Sequence, residues 1–468
     1  MHRWCCMMSV MLCLALLVPH SLFAKDYTLP DLYRLALERA EKIKVSEQDV
    51  VLAALDKDKA VAGLMPRISG FASHTQYSRK ITNDWGGLVQ PRHTGTWGAK
   101  VEEQLSLSMR EITAVSMANK GVEKGMFDLD NVKEEYLQEV AAGYYEVLKT
   151  QKGLEIADAN LKRLDAYRLA AQKRVQFGEA PRAILLRAES EFSNAQAERI
   201  KAENELAVNK AALARMTGIV EEYRLVPEAE KPRPIPPLAE LRSAAHKQRP
   251  DLRALDYEKQ IAEQNISYLK GQHWPSINLS GGSQMSHQNP SDEDLNRESL
   301  YGTFSLNIPI FQGGMVKADV AQALARLRQA ELKYQDLKKN IDVQVETAYR
   351  DVVSQQAMLK YLEDQRTYTN ENYHALVRQF ELGLASNLDV VDANALLVTS
   401  EQKLAQAKCE CQVSLVRLKK AAGMFLSELG LPAKSVDSLI QKPPLFKPYP
   451  KMDGWDPGQT SRNESYGH

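Results

Sequence analysis

The sequence predicts a mixed α and β protein in which short antiparallel strands form a barrel wall and very long helices continue it. Three observations lead there. Val320, Leu324, Leu327, Tyr334, Leu337, Ile341, Val345, Ala348, Val352, Leu359 and Leu362 fall at coiled-coil spacings. Two pairs of short segments alternate wet and apolar residues, the period of a strand with one face on each side. The chain also repeats itself. Leu32 and Leu241 stand 209 apart, as do Ala36 and Ala245, and Pro66 and Pro275; Gly178 and Gly383 stand 205 apart, as do Gly218 and Gly423.

The chain begins with a short positive stretch, Met1-His2-Arg3, then an apolar run from Trp4 to Val18 and a cleavage site at Leu22-Phe23-Ala24. Residues 1–24 therefore read as a secretory signal peptide, too short to span a membrane. Cys5, Cys6 and Cys13 follow no lipoprotein pattern, so no acyl anchor is expected. Only Cys409 and Cys411 remain after cleavage; two residues apart on a helix they cannot bridge each other, and they read as small buried hydrophobes, with intermolecular pairing or metal binding the lesser alternative. The mature chain has no apolar run near the ~20 residues of a membrane helix, so membrane insertion requires a β-barrel. Sixty basic and sixty acidic side chains balance, which gives no electrostatic case for nucleic acid.

The repeat divides the rest into a first unit at 25–220, a Pro-rich strap at 221–250, a second unit at 238–430 and a tail at 431–468. Each unit reads as helix, β-hairpin, long helix, break, long helix. The first helix starts near Thr28, presents Leu32, Leu35, Ala36 and Ile43 on one face, and stops before Pro66. The strands of the first hairpin are RISGFASHTQY and TGTWGAKVEEQLSL; those of the second are SINLSGGSQMS and YGTFSLNIPIF. In the last, Phe304, Leu306 and Ile308 share one face while Thr303, Ser305 and Asn307 share the other. That alternation suits the wall of an outer-membrane barrel, with Tyr77, Trp97, Trp274 and Tyr301 placed as an aromatic girdle. Four strands cannot close a barrel, so several chains must form a ring. The strap, with Pro227, Pro232, Pro234, Pro236, Pro237 and Pro250, should be extended. The tail is open between wrapping the exterior and remaining disordered.

The break at FELGLASNLDVVD is the tip of a helical hairpin. Gly383 can take the left-handed conformation that ends one helix, and Asn387 or Ser386 can cap the next. Asp389 and Asp392 lie one turn apart on one face.

The Pro66 and Pro275 junctions, Ile308-Pro309-Ile310-Phe311-Gln312-Gly313-Gly314, the tip from Leu382-Gly383 to Leu388-Asp389-Val390-Val391-Asp392-Ala393 and the duplication together resemble the outer-membrane efflux (TolC-like) family. The resemblance covers nearly all of the mature chain except the strap and the tail. It implies a homotrimer, with a twelve-stranded barrel in the outer membrane of a Gram-negative type cell and a twelve-helix tunnel across the periplasm. It further implies that an inner-membrane pump and its periplasmic adaptor engage the tunnel, as an efflux or type I secretion duct. Asp389 and Asp392 fall where the family places inner carboxylate rings, a selectivity device when repeated around a narrow mouth; a solvated, N-terminal helix face is the plainer reading. The family's tip latch is not copied: Ile184 and Ala385 stand where it has an aspartate and a basic residue, and Phe380 stands at its aromatic position without a hydroxyl. Arg182 and Arg187 stand nearby, either as partners for Asp389 or Asp392 in a closed mouth or as exposed charges meeting adaptor or solvent. Gly178, Glu179, Ala180, Leu382, Gly383, Leu384, Ala385 and Ser386 are the expected adaptor-docking tips, by the close approach small residues allow, and equally ordinary turn residues.

No phosphate-binding, dinucleotide or zinc-protease motif occurs, and the histidines lack ligand spacing, so neither enzyme activity, metal nor cofactor is expected. The rival reading is a soluble periplasmic coiled-coil scaffold or adaptor, weakened by the presence of two hairpin copies.

Overall fold

The computed structural model describes residues 25–227, 234–290, 297–430 and 439. The expected signal peptide, part of the strap and, apart from Leu439, the tail lie outside the described residues. In chain order the elements are β1 (Lys25–Tyr27), α1 (Leu29–Arg39), α2 (Glu41–Ala62), β2 (Arg67–Gln76), β3 (Ile81–Thr82), β4 (Leu88–Gln90), β5 (His93–Ser106), α3 (Arg110–Gln176), α4 (Arg182–Thr217), β6 (Tyr223–Leu225), α5 (Leu238–Gln248), α6 (Pro250–Lys270), β7 (Ser276–Asn289), β8 (Glu298–Asn307), α7 (Met315–Glu381), α8 (Asn387–Ala421) and α9 (Phe425–Glu428), with a 3₁₀ turn at Gly271–His273.

Helices α3 and α7 have 67 residues each, about 100 Å at 1.5 Å per residue. Each turns back through a shorter partner, α4 or α8. Packing along the coiled-coil seam of α7 is uneven. Ile341, Val345 and Val352 are fully buried, with Tyr334, Leu337 and Ala348 packed beside them, whereas Leu324 stays 51% exposed. The largest core lies midway along the helices, where Leu32, Tyr33, Leu137, Tyr144, Leu213 and Phe425 meet beneath the parallel β1–β6 pair. Tyr144 donates from its hydroxyl to the carbonyl of Val226 at 2.7 Å, which ties the start of the strap to α3.

The expected single first helix is two. Ala40 adopts an extended backbone (φ −63°, ψ 121°) between α1 and α2, as Arg249 does between α5 and α6 (φ −61°, ψ 125°). At Arg249 the following Pro250 imposes this. At Ala40 no proline acts; the residue is 2% exposed and packs with Ile43, Val50 and Leu129, so tertiary packing sets the bend.

Strands β2, β5, β7 and β8 form one antiparallel sheet in that order. The register sorts its two faces. Ile68, Val101, Leu105, Ile277, Leu279, Leu300, Phe304 and Leu306 share one face, with Glu103 among them. Arg67, Lys100, Glu102, Thr96, Ser73, Gln284 and Thr303 share the other. The apolar face is bare in the single chain: Ile68 is 77% and Leu300 88% exposed. The outer edges of β2 and β8 pair with no strand among the described residues. Tyr301 departs from the girdle expected for it. It stands on the polar face, its ring over Gly282, where a Cβ would lie 3.0 Å from the hydroxyl. Phe71 covers Gly98 in the same way. No helix among the described residues is long and apolar enough to cross a membrane.

Candidate gate at the helix tips

Both hairpins turn by the same backbone device. At the end of α3 the Glu179 N–H donates to Arg174 (2.8 Å) and Gly178 to Val175 (3.1 Å), with Gly178 at φ +76°. At the end of α7 Leu384 donates to Gln379 (2.8 Å) and Gly383 to Phe380 (3.0 Å), with Gly383 also at φ +76°. This paired bonding satisfies the last helical carbonyls and requires a left-handed residue, which glycine supplies without strain. Helix α8 then starts with a capping box. Ser386 Oγ accepts from the Asp389 N–H (3.2 Å), and Asp389 Oδ2 accepts from the Ser386 N–H (2.9 Å). Helix α4 follows Pro181 and has no such box.

The side chains expected to form the gate divide into buried and exposed. Asp389 and Asp392 are exposed on α8, opposite the buried Val390, Val391, Ala393 and Leu397. The hydrogen bonds from Ser386 hold the Asp389 carboxyl below its ordinary range, so it is a cap as well as a surface charge. Arg182 and Arg187 are exposed on α4, and within the described residues of one chain no ion pair joins either of them to Asp389 or Asp392. Phe380 is 7% exposed and sits in a small core with Tyr167, Ala171, Ala188, Val390 and Val391. Its ring lies 5.9 Å from that of Tyr167, whose hydroxyl burial pushes up to about 12. Gly178, Glu179, Leu382, Gly383, Leu384 and Ser386 are exposed, and Ala180 and Ala385 are half-buried.

A polar network that the sequence did not reveal joins the two hairpins above this core. Arg163 Nε on α3 donates to Asn394 Oδ1 on α8 at 2.9 Å, and its guanidinium lies 3.5 Å from Glu401 and 5.8 Å from the Tyr373 ring centre. Asn394 is 6% exposed and donates in turn to Asn160 Oδ1 at 2.7 Å. Nearer the tip, Arg174 stands over the Phe380 ring at 4.7 Å. Arg163 and Asn394 are 231 positions apart, and nothing in local spacing couples them. The Ser386-x-x-Asp389 box, by contrast, carries a recognisable helix-start pattern.

Comparison with known proteins agrees with this architecture. The chain matches the family described as outer membrane efflux protein over 32–219 and again over 241–424. The outer membrane efflux protein BepC of Brucella suis is 23% identical over 391 residues, covering 83% of this chain and 82% of the relative. The alkaline protease secretion protein AprF of Pseudomonas aeruginosa is 24% identical over 416 residues, covering 84% of each. A crystal structure of a membrane protein from Pseudomonas aeruginosa superposes with a TM-score of 0.75 at 19% identity, covering 86% of this chain and 91% of the other. The chain is a member of the outer membrane efflux protein family.

Proposed function

We propose that three copies of this chain close one twelve-stranded barrel and a continuous helical tunnel, gated at the helix tips. As a family member the protein is an efflux exit duct of the outer membrane that reaches into the periplasm. The trimer is supported by the sheet, in which four strands with an apolar and a polar face leave both edges unpaired. Joining β2 of one copy to β8 of the next satisfies both edges and puts the apolar face against lipid. The two repeats, at 25–220 and 238–430 with the strap between them, each supply one hairpin of strands and one of helices.

In this reading Asp389 and Asp392, with Arg182 and Arg187, surround the narrow mouth, and any pairing between them runs between neighbouring copies. Phe380 holds the tip core rather than lining the passage. The exposed turns at 178–180 and 382–386 meet a periplasmic adaptor, which links the duct to an inner-membrane pump. Planar-bilayer conductance of the detergent-extracted protein tests the assembly. A small, cation-preferring conductance that loses its preference in Asp389→Ala/Asp392→Ala is expected. Unchanged ion preference would move the constriction away from the aspartates, and absence of channels would refute the duct.

A further inference from the structure

We infer that the outer end of the sheet's apolar face binds the phosphorylated headgroup of an outer-leaflet glycolipid, through His74, His93 and His287. The inference rests on the barrel reading above, which turns this face towards lipid.

The register puts the three histidines together. His74 on β2, Gly95 on β5 and His287 on β7 form one row across the sheet, and Gln76, His93 and Asn289 form the next. All six positions share the face of Ile68, Val101 and Leu279. The His74 and His93 rings stack with centroids 5.8 Å apart. Gly95 leaves the central strand bare between His74 and His287, and a shallow cavity of about 320 Å³ opens there, walled by His74, His287 and Trp97. Neighbouring strands lie about 4.8 Å apart, so positions two strands apart are ~10 Å apart at the backbone. His74 Nδ1 leans over Gly95, 3.9 Å from where a Cβ would stand, so a phosphate seated above this glycine meets imidazole donors from the flanking strands.

The depth fits as well. From the Leu105–Ile277–Leu306 row to the His74–His287 row is ten residues along β5, from Leu105 to Gly95. At about 3.3 Å per residue and a tilt of about 40° that is ~25 Å, the height of a typical outer-membrane apolar band. The histidines therefore emerge where acyl chains end and headgroups begin, at the end of the sheet away from the long helices. Trp97, 57% exposed and one row inside them, marks the boundary as interfacial tryptophans do. Glu298 shares the Trp97 row through Met285 and is the nearest carboxylate on this face among the described residues. Among the described residues no group of three or more His, Cys, Asp or Glu is placed to hold a metal ion.

The test is native mass spectrometry of the full-length, detergent-extracted protein with bisphosphorylated lipid A and with its dephosphorylated form. Wild type should retain the phosphorylated lipid about tenfold more tightly, and the His74→Gln/His93→Gln/His287→Gln variant should bring the two lipids to parity. The single variants His74→Gln and His287→Gln should each lose part of the preference, which keeps the proposal testable where the triple variant assembles poorly. His273→Gln, at the opposite end of the sheet, should change nothing. Equal retention of the two lipids by wild type, or an undiminished preference in the triple and single variants, would overturn the proposal. So would inorganic phosphate displacing the lipid at equal concentration, because the site would then read free phosphate. Recovery of wild type outside the outer-membrane fraction would instead remove the barrel reading beneath it.

Discussion

On the proposed gate, replacing Arg163 by alanine should loosen the closed mouth. The substitution removes a charged hydrogen bond of 2.9 Å to a buried asparagine, a 3.5 Å ion pair with Glu401 and a cation–π contact with Tyr373. A hydrogen bond to a charged group contributes about 1.5–3 kcal/mol and an exposed cation–π contact about 0.5–1 kcal/mol. Asn394 keeps its bond to Asn160, which offsets part of the loss. A net figure of ~2 kcal/mol per chain is reasonable. Opening that parts α3 from α8 breaks these contacts, so their removal shifts the closed-to-open ratio by about 30-fold per chain. The assay is single-channel recording, with open probability compared for wild type, Arg163→Ala, Asn394→Ala and the double variant. Arg163→Ala should open more often and to larger levels, and the double variant should add little to it. Wild-type open probability in Arg163→Ala, in a protein that still assembles, would refute the assignment of this network to the closed state.

Gly314→Ala should destabilise by about 1 kcal/mol, read as a lower melting temperature in detergent, because Gly314 has φ +84° and a Cβ there meets no atom within 4 Å, leaving backbone strain as the whole effect. Met109 stands at the corresponding place before α3 at φ 54°, so Met109→Gly should not destabilise despite losing a side chain. Ser386→Ala should cost about 1 kcal/mol through the lost cap and return the Asp389 carboxyl towards its ordinary range, measurable by the pH dependence of cation selectivity. Glu134 gives a pH dependence of stability. Burial raises its carboxyl to about 7 against an ordinary 4.5, despite the opposing charges of Lys420 and Arg249. The folded chain therefore holds this proton more tightly than the unfolded one, and stability falls as pH rises from about 4.5 to about 7. The loss is on the order of 3 kcal/mol and is complete above that window. Glu134→Gln should flatten the dependence, and melting temperatures at pH 5 and pH 8 compare the two.

What the sequence revealed depended on whether a residue type answers a local need. The tip turns were legible because a left-handed position favours glycine at both Gly178 and Gly383, and the strand faces because alternation has one period. The bend at Ala40 was not, since no proline forces it and only the core beneath it does. Phe380 was legible as a special aromatic but not in its role: its surroundings come from Tyr167 and Arg174, two hundred residues earlier. Tyr301 was placed in the aromatic girdle because aromatic type alone does not say whether a ring meets lipid or covers a glycine. The Arg163 network was invisible for the same reason as most long-range polar contacts: each member is an ordinary helix residue until its neighbour is known.

The two hairpins share their turn geometry but supply different chemistry to each other. The first provides cations from α3, with Arg163 reaching Asn394 and Glu401 and Arg174 covering Phe380; the second answers with acceptors and rings on α7 and α8, and Asn394 donates back to Asn160. Arg168, between them in sequence, turns back to Asp165 and the Phe192 ring of its own hairpin. Asp389, which also caps α8, and Asp392, Arg182 and Arg187 stay exposed on the surface; in the proposed trimer they meet neighbouring copies or an adaptor. On the proposed gate, neutralising the surface charges should change what the mouth admits, while breaking the half-buried arginine contacts should change how often it opens, so the two classes of variant should separate ion selectivity from open probability.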